Sequence, residues 1–224
     1  MYTAIMAARP DEPFIDEALA SIDSQSLPPA AVIVVVNGPG ALSSEGATRL
    51  QDLSASPTVV LQSERASQSA AYDLALRTVL TPYVAFLDAD DIWHETKQER
   101  QITRLEQQSS AQVSIGSIVN FTRDDTGQVQ QESAEVARLF GACTFRKRTF
   151  EDFGHPDPDA GHFTWLYRWW SQASTVAAEA SPLDEPVLYR RVHGANSWVS
   201  FNDEGRRQLL GELRRVVRNS RQST

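Results

Sequence analysis

Val32-Ile33-Val34-Val35-Val36 constrains the fold more than any other stretch of this chain. An unbroken β-branched run presents no face to water, so it reads as a strand covered on both sides, the situation of a parallel sheet between layers of helices. Asn37-Gly38-Pro39-Gly40 ends the run in a tight loop. Residues 2–6 are short, apolar and followed by Pro10, which suits a first buried strand. Phe14, Ile15, Ala18, Leu19 and Ile22 then recur at helical spacing until Pro28-Pro29 stops the helix. A weak helix is expected over residues 44–53 and a strand over 58–61. An Ala- and Leu-rich helix over 66–80 follows, ended by Pro82. A further strand begins at Val84, and a helix over about 94–108 points Ile102 and Leu105 inward. Strands alternating with helices over residues 1–108 imply crossover connections and a mostly parallel α/β sheet.

The fourth strand carries the chemistry. Val84-Ala85-Phe86-Leu87 runs into Asp88-Ala89-Asp90-Asp91, an apolar segment that stops abruptly at a cluster of carboxylates. Acids at the carboxyl end of a strand lie where open α/β sheets bind ligands. Asp88 and Asp90 share a face of an extended segment and together can hold a divalent cation. Asp91 is expected to cap the following helix. No glycine-rich phosphate loop follows the first strand, where Ala7-Ala8-Arg9-Pro10 stands instead. Phosphates would therefore need another counter-charge, which a metal on Asp88 and Asp90 can supply.

After residue 108 the rhythm changes. Residues 113–121 read as a strand, 123–127 as a hairpin turn and 128–132 as its return. Short strand character returns at 141–145, and a helical turn at 149–153 ends at Gly154. A loop with Asp157 and Asp159 precedes an aromatic-rich helix over 163–178. A strand at 187–192 leads into His193, and residues 204–218 read as an amphipathic helix. The expected organisation is a single domain over 1–224. Residues 1–108 form its nucleotide-binding half, 109–202 its acceptor half with a smaller mixed sheet, and 203–224 a basic C-terminal helix.

Composition narrows the function classes. A net charge of −8 argues against a nucleic-acid binder, which needs a basic face for phosphates. A lone cysteine, Cys143, excludes an intramolecular disulfide and a cysteine-based zinc site, and points to a cytoplasmic setting. Cys143 itself reads as a small buried residue. No apolar run approaches the roughly 20 residues of a membrane helix, and no signal-peptide pattern opens the chain. The arginine-rich segment from residue 203 onward offers a contact for anionic lipid or a partner protein, or a solvated face on an acidic body.

Several segments, in order, resemble the inverting family 2 glycosyltransferases of the GT-A fold. Residues 13–22 resemble that family's first helix, 32–38 its second strand and turn, and 67–76 its third helix. Residues 84–93 resemble the strand with its D-x-D metal motif, 141–147 the strand after its acceptor loop, and 189–197 its C-terminal arginine–histidine–asparagine pattern. The resemblance implies a Rossmann-like GT-A domain that moves a sugar from a nucleotide-diphosphate sugar to an acceptor hydroxyl by metal-assisted single displacement. It implies Mn2+ or Mg2+ as cofactor, on Asp90 and Asp88 with His193. It places Ala8, Arg9, Asn37, Tyr72, Asp88, Ala89 and Asp90 against the nucleotide sugar. The acceptor, whether glycan, lipid-linked or small molecule, is left open.

The departures from the family are specific. Asn37 stands where an aspartate usually reads the base, and its amide can both donate and accept. Tyr72 replaces an arginine on the pyrophosphate side, and Arg9 can restore that charge. The usual Glu-Asp pair that supplies the catalytic base is Gly161-His162, so His162 or a nearby acid, Asp159 or Asp157, must serve. Alternation along the last strand lets either Arg190 or Arg191 face the cleft. Trp93, Trp165 and Trp169 are expected in the core, whereas Trp170 is free to stack on an acceptor. Two other readings stay open: a relative without catalysis that binds a nucleotide or a protein, and a nucleotidyltransferase of similar design.

Overall fold

A computed structural model of the chain describes residues 1–193 apart from 41, 125, 161–163 and 179. The elements run β1 (Tyr2–Ala8), α1 (Ile15–Asp23), β2 (Ala31–Asn37), α2 (Ser44–Asp52), β3 (Thr58–Ser63), α3 (Gln68–Leu76), β4 (Tyr83–Asp88), β5 (Ile92–Trp93) and α4 (Lys97–Gln107). The second half adds β6 (Val113–Arg123), β7 (Val129–Gln131), β8 (Glu135–Val136), a 3-10 turn at Phe140–Ala142, β9 (Cys143–Arg146), α5 (Arg148–Phe153), α6 (Thr164–Gln172), α7 (Ser174–Ala178) and β10 (Ser181–Arg191).

Among the described residues the strands form one 10-stranded sheet in the order β3-β2-β1-β4-β9-β6-β10-β5, with β7 and β8 paired to β6. The first four strands are parallel, as the alternation of strand and helix requires. Short β9 then enters antiparallel between β4 and β6, and β10 lies parallel to β6. The strands after residue 108 thus continue the sheet of the first half, so that the smaller mixed region is part of one continuous surface.

The β-branched run behaves as its composition demands. Val32, Val34 and Val36 pack with Tyr2, Ala4, Met6, Ile15, Leu19 and Ile22 on one face. Ile33 and Val35 pack with Ile5, Ala71, Tyr72, Ala75, Val84 and Phe86 on the other. Period-two alternation sends successive residues to opposite layers, so α1 covers one side and α3 the other. The second layer is strongly aromatic beside β9, where Phe140, Phe145, Phe150, Trp165, Trp169 and Trp170 are all buried.

Several boundaries differ from the expectations of sequence. The third helix spans only Gln68–Leu76, and Leu80 beyond it is 94 % exposed. Residues 92–93 pair with β10 as a strand, and α4 starts at Lys97. The expected helix over 163–178 is two helices that meet at Ala173, and the expected C-terminal helix lies outside the described residues.

Gly116 of β6 packs directly against β10. A Cβ there would lie 2.4 Å and 2.5 Å from the two methyl groups of Val187 on β10. Gly116→Ala should lower stability by about 1–3 kcal/mol through overpacking, read as a lower thermal midpoint. Combining it with Val187→Ala should return part of that loss.

Candidate functional site

β1, β2 and β4 end side by side, which brings Ala8, Asn37 and Asp88 to one edge of the sheet. This is a switch point of the sheet, because the chain leaves β1 for β2 on one side and returns as β4 on the other. Ala8 and Ala89 are both buried. Asn37 is half-buried beside Ser63 of β3, and the Gly38 N–H that follows it donates to the Ser63 carbonyl at 3.0 Å. Arg9 is exposed and its guanidinium pairs with Glu12 at 3.0 Å.

The carboxylates converge as the motif suggests. Oxygens of Asp88, Asp90 and Asp91 all lie within 4.8 Å of one another. Burial pushes the Asp88 carboxyl up to about 6, with the neighbouring Asp90 charge adding to the effect. Burial and the charges of Asp90 and Asp88 also raise Asp91 well above the usual carboxylate range. Like charges crowded into a cleft favour a cation. His193 adds an imidazole, its Nε2 3.1 Å from Asp90 Oδ2 and its ring against Phe14. Carboxylate oxygens with an imidazole nitrogen are a donor set that Mn2+ or Mg2+ accepts, so these residues fit a divalent ion.

Asp91 does not cap a helix. Its Oδ1 accepts the backbone N–H of Arg191 at 2.9 Å, and the helix begins six positions later, at Lys97. The Arg191 side chain completes the brace by donating to the Asp90 carbonyl at 3.0 Å and to Glu17 at 3.0 Å. Its guanidinium lies between the rings of Phe14 (4.2 Å) and Phe121 (4.8 Å). Arg191 therefore faces the α1 layer. Alternation sends Arg190 to the cleft, where its charge holds down the raised values of Asp88 and Asp91. Sequence spacing indicated that one of the two would face the cleft, but not that the other locks the acidic turn from behind.

The cleft beside Asp88 and Asp91 is walled by Gln68, Tyr72, Leu139, Phe140, Gly141, Trp165, Leu166 and Leu188. Tyr72 reaches it through its hydroxyl, which donates to Asp88 Oδ1 at 2.7 Å. Gln68, one helical turn earlier, donates to the same oxygen. Gln68 was missed in the sequence, although its spacing of four from Tyr72 places the two on one face of α3.

Trp93, Trp169 and Trp170 are structural. Trp93 is buried and donates to the Gly141 carbonyl, and Trp169 donates to that of Gly154. Trp170, which the sequence leaves free to stack on an acceptor, is buried in the aromatic layer and donates to the Arg138 carbonyl at 2.9 Å. The rings of Phe140, Phe145 and Trp169 pack around it. On the loop before α6, Asp159 is exposed and pairs with Arg65 at 2.5 Å, while Asp157 pairs with Arg168 at 3.1 Å. His162 lies outside the described residues. None of the described helices is long and apolar enough to cross a membrane.

Solved structures of TarS from S. aureus share the fold. The 1–349 fragment with UDP-GlcNAc superposes with a TM-score of 0.64 at 18% sequence identity, over 89% of this chain and 60% of the fragment. The fragment with UDP gives 0.60 at 18% identity, over 86% of this chain and 61% of the fragment. A longer TarS structure gives 0.63 at 18% identity, over 86% of this chain, which spans 37% of that longer chain. No curated protein sequence is matched. The family model described as glycosyl transferase family 2 matches residues 3–170, most of the chain, and the protein belongs to that family.

Proposed function

We propose that this protein transfers a sugar from a nucleotide-diphosphate sugar to an acceptor hydroxyl, in one displacement that inverts the anomeric carbon. The observation that carries this reading is the convergence of Asp88, Asp90 and Asp91 at the end of β4, with His193 beside Asp90. That TarS has been solved with UDP and with UDP-GlcNAc supports a nucleotide sugar as the donor.

In the displacement the acceptor oxygen attacks the anomeric carbon, the bond from that carbon to the diphosphate breaks, and the hydroxyl proton passes to a base. Mn2+ or Mg2+ on Asp90 and Asp88, with His193 completing the set, would neutralise the charge gathering on the diphosphate. Arg190 places a cation on the same side of the cleft, a fixed charge that acts without reorganisation. Asn37 would meet the base edge, its amide pairing as donor and acceptor with a pyrimidine. The backbone at Ala8 and Ala89 would line the nucleotide, with Arg9 at the rim.

His162 is our choice of base, since an imidazole titrates near neutrality. Asp159 is the second choice, an exposed carboxylate that pairs with Arg65. Cytoplasmic placement, and a contact of the arginine-rich segment from residue 203 with lipid or protein, belong to the same reading.

One observation favours a second reading, a nucleotide binder without transfer. Among the described residues that wall the cleft, there is no acid or histidine besides Asp88 and Asp91. Release of nucleotide diphosphate from UDP-sugars with Mn2+ separates the two. Wild type should exceed background, and His162→Ala should lower release by about 10²–10⁴-fold. Equal background-level release from both proteins would favour the binder.

A further inference from the structure

Asp88 is held by two side chains of one helix. The Tyr72 hydroxyl donates to Oδ1 at 2.7 Å and the Gln68 amide donates to the same atom at 2.5 Å. The amide also reaches the Tyr72 hydroxyl at 3.3 Å, so the three groups form a closed set. The tyrosine is not free to wander. Tyr72 is 1 % exposed, and its ring is fixed against Phe86 at 4.7 Å, Phe140 at 6.2 Å and Trp165 at 5.7 Å. Phe86 belongs to β4 itself and Trp165 to α6. The hydroxyl is therefore aimed by the aromatic core, as the rotamer of a surface side chain could not be.

We propose that Gln68 and Tyr72 are positioning residues that turn Asp88 into a one-oxygen ligand. Two donors occupy Oδ1, a carboxylate oxygen that offers two lone-pair directions. Oδ2 alone is left for a metal or a ribose hydroxyl, so Asp88 does not engage a cation through both oxygens. Asp90, with His193 at 3.1 Å, takes the larger share of the ion. Partners behind a metal ligand fix its orientation, and losing one typically weakens metal binding by about 10–100-fold. Tyr72 thus supplies a neutral donor whose ring packing fixes its direction.

This inference rests on the proposed metal-assisted site, and Mn2+ binding separates the two. Free Mn2+ is titrated by electron paramagnetic resonance against wild type, Tyr72→Phe, Gln68→Leu and the double variant, with thermal midpoints measured alongside. Phenylalanine keeps the ring in the aromatic layer, and Gln68 is only half-buried. Each single variant should bind Mn2+ about tenfold more weakly with a midpoint close to wild type. The double variant should lose less than the product of the two, because both donors act on one atom. Wild-type affinity in Tyr72→Phe and Gln68→Leu, with a wild type that binds Mn2+, overturns the clamp and leaves the proposed function standing. Weakened binding only in proportion to lost folding stability also overturns it. Failure of the wild type to bind Mn2+ overturns both.

Discussion

Asp90→Asn is expected to abolish Mn2+-supported turnover of a nucleotide sugar while leaving the apo-protein as stable as wild type or slightly more so. Three carboxylates crowd within 4.8 Å, and the Asp90 charge helps to raise both Asp88 and Asp91. Asparagine keeps the size and a hydrogen-bonding oxygen for His193 but removes one of the mutually repelling charges. Relief of about 1 kcal/mol would raise the thermal midpoint by about 2–4 °C in a chain of this size. With Asp90 as the main ligand of the proposed metal, its loss should reduce turnover at least about 100-fold. Activity and stability moving in opposite directions is the mark of a functional site, since a structural acid would lose both. Nucleotide release assays and thermal scans without metal check the two halves independently.

Replacing Lys97 should have the largest effect on folding. The side chain is fully buried on α4, and Nζ donates to Gln101 Oε1 at 2.8 Å, the Cys143 carbonyl at 3.1 Å and Thr144 Oγ1 at 3.2 Å. It also lies 4.5 Å from the centre of the Trp93 ring. Lys97→Ala would leave a cavity and remove a donor from three buried acceptors, a loss of about 3–5 kcal/mol. Burial pushes this amine from 10.5 down to about 7. Between those values the unfolded chain keeps a proton that the folded chain gives up, so unfolding takes up a proton and stability rises with pH. Below about 7 both states are charged and the full desolvation cost applies. Urea denaturation at pH 6.5 and 9 should show wild type gaining roughly 2–3 kcal/mol relative to Lys97→Met. A difference that does not change with pH would mean that the ammonium stays charged, held by its three acceptors.

Much of this architecture can be read from local pattern. Residues 32–36 alternate between two apolar layers because a β-branched run has no other stable placement. Asp88 and Asp90 stand at a strand end because an apolar run stops there. Non-local pairing is what local pattern leaves out. Ile92–Trp93 is too short to announce itself as a strand and exists because β10 pairs with it. Asp91 appeared to belong to the nearest helix, yet its partner is the backbone of Arg191, 100 positions later. Trp170 carries the same chemistry as a stacking platform, and only the rings packed around it show that it is core. The role of Tyr72 was hidden for a related reason: a phenol says nothing of its direction until Phe86 and Trp165 fix the ring.

Binding of UDP to the purified protein by isothermal titration, with and without Mn2+, tests the central claim most directly. Saturable binding that requires Mn2+ and disappears in Asp90→Asn is the expected result. Binding of equal strength without the metal and in Asp90→Asn, or no binding of UDP, GDP or dTDP under any of these conditions, would contradict a metal-assisted nucleotide-sugar site at the end of β4.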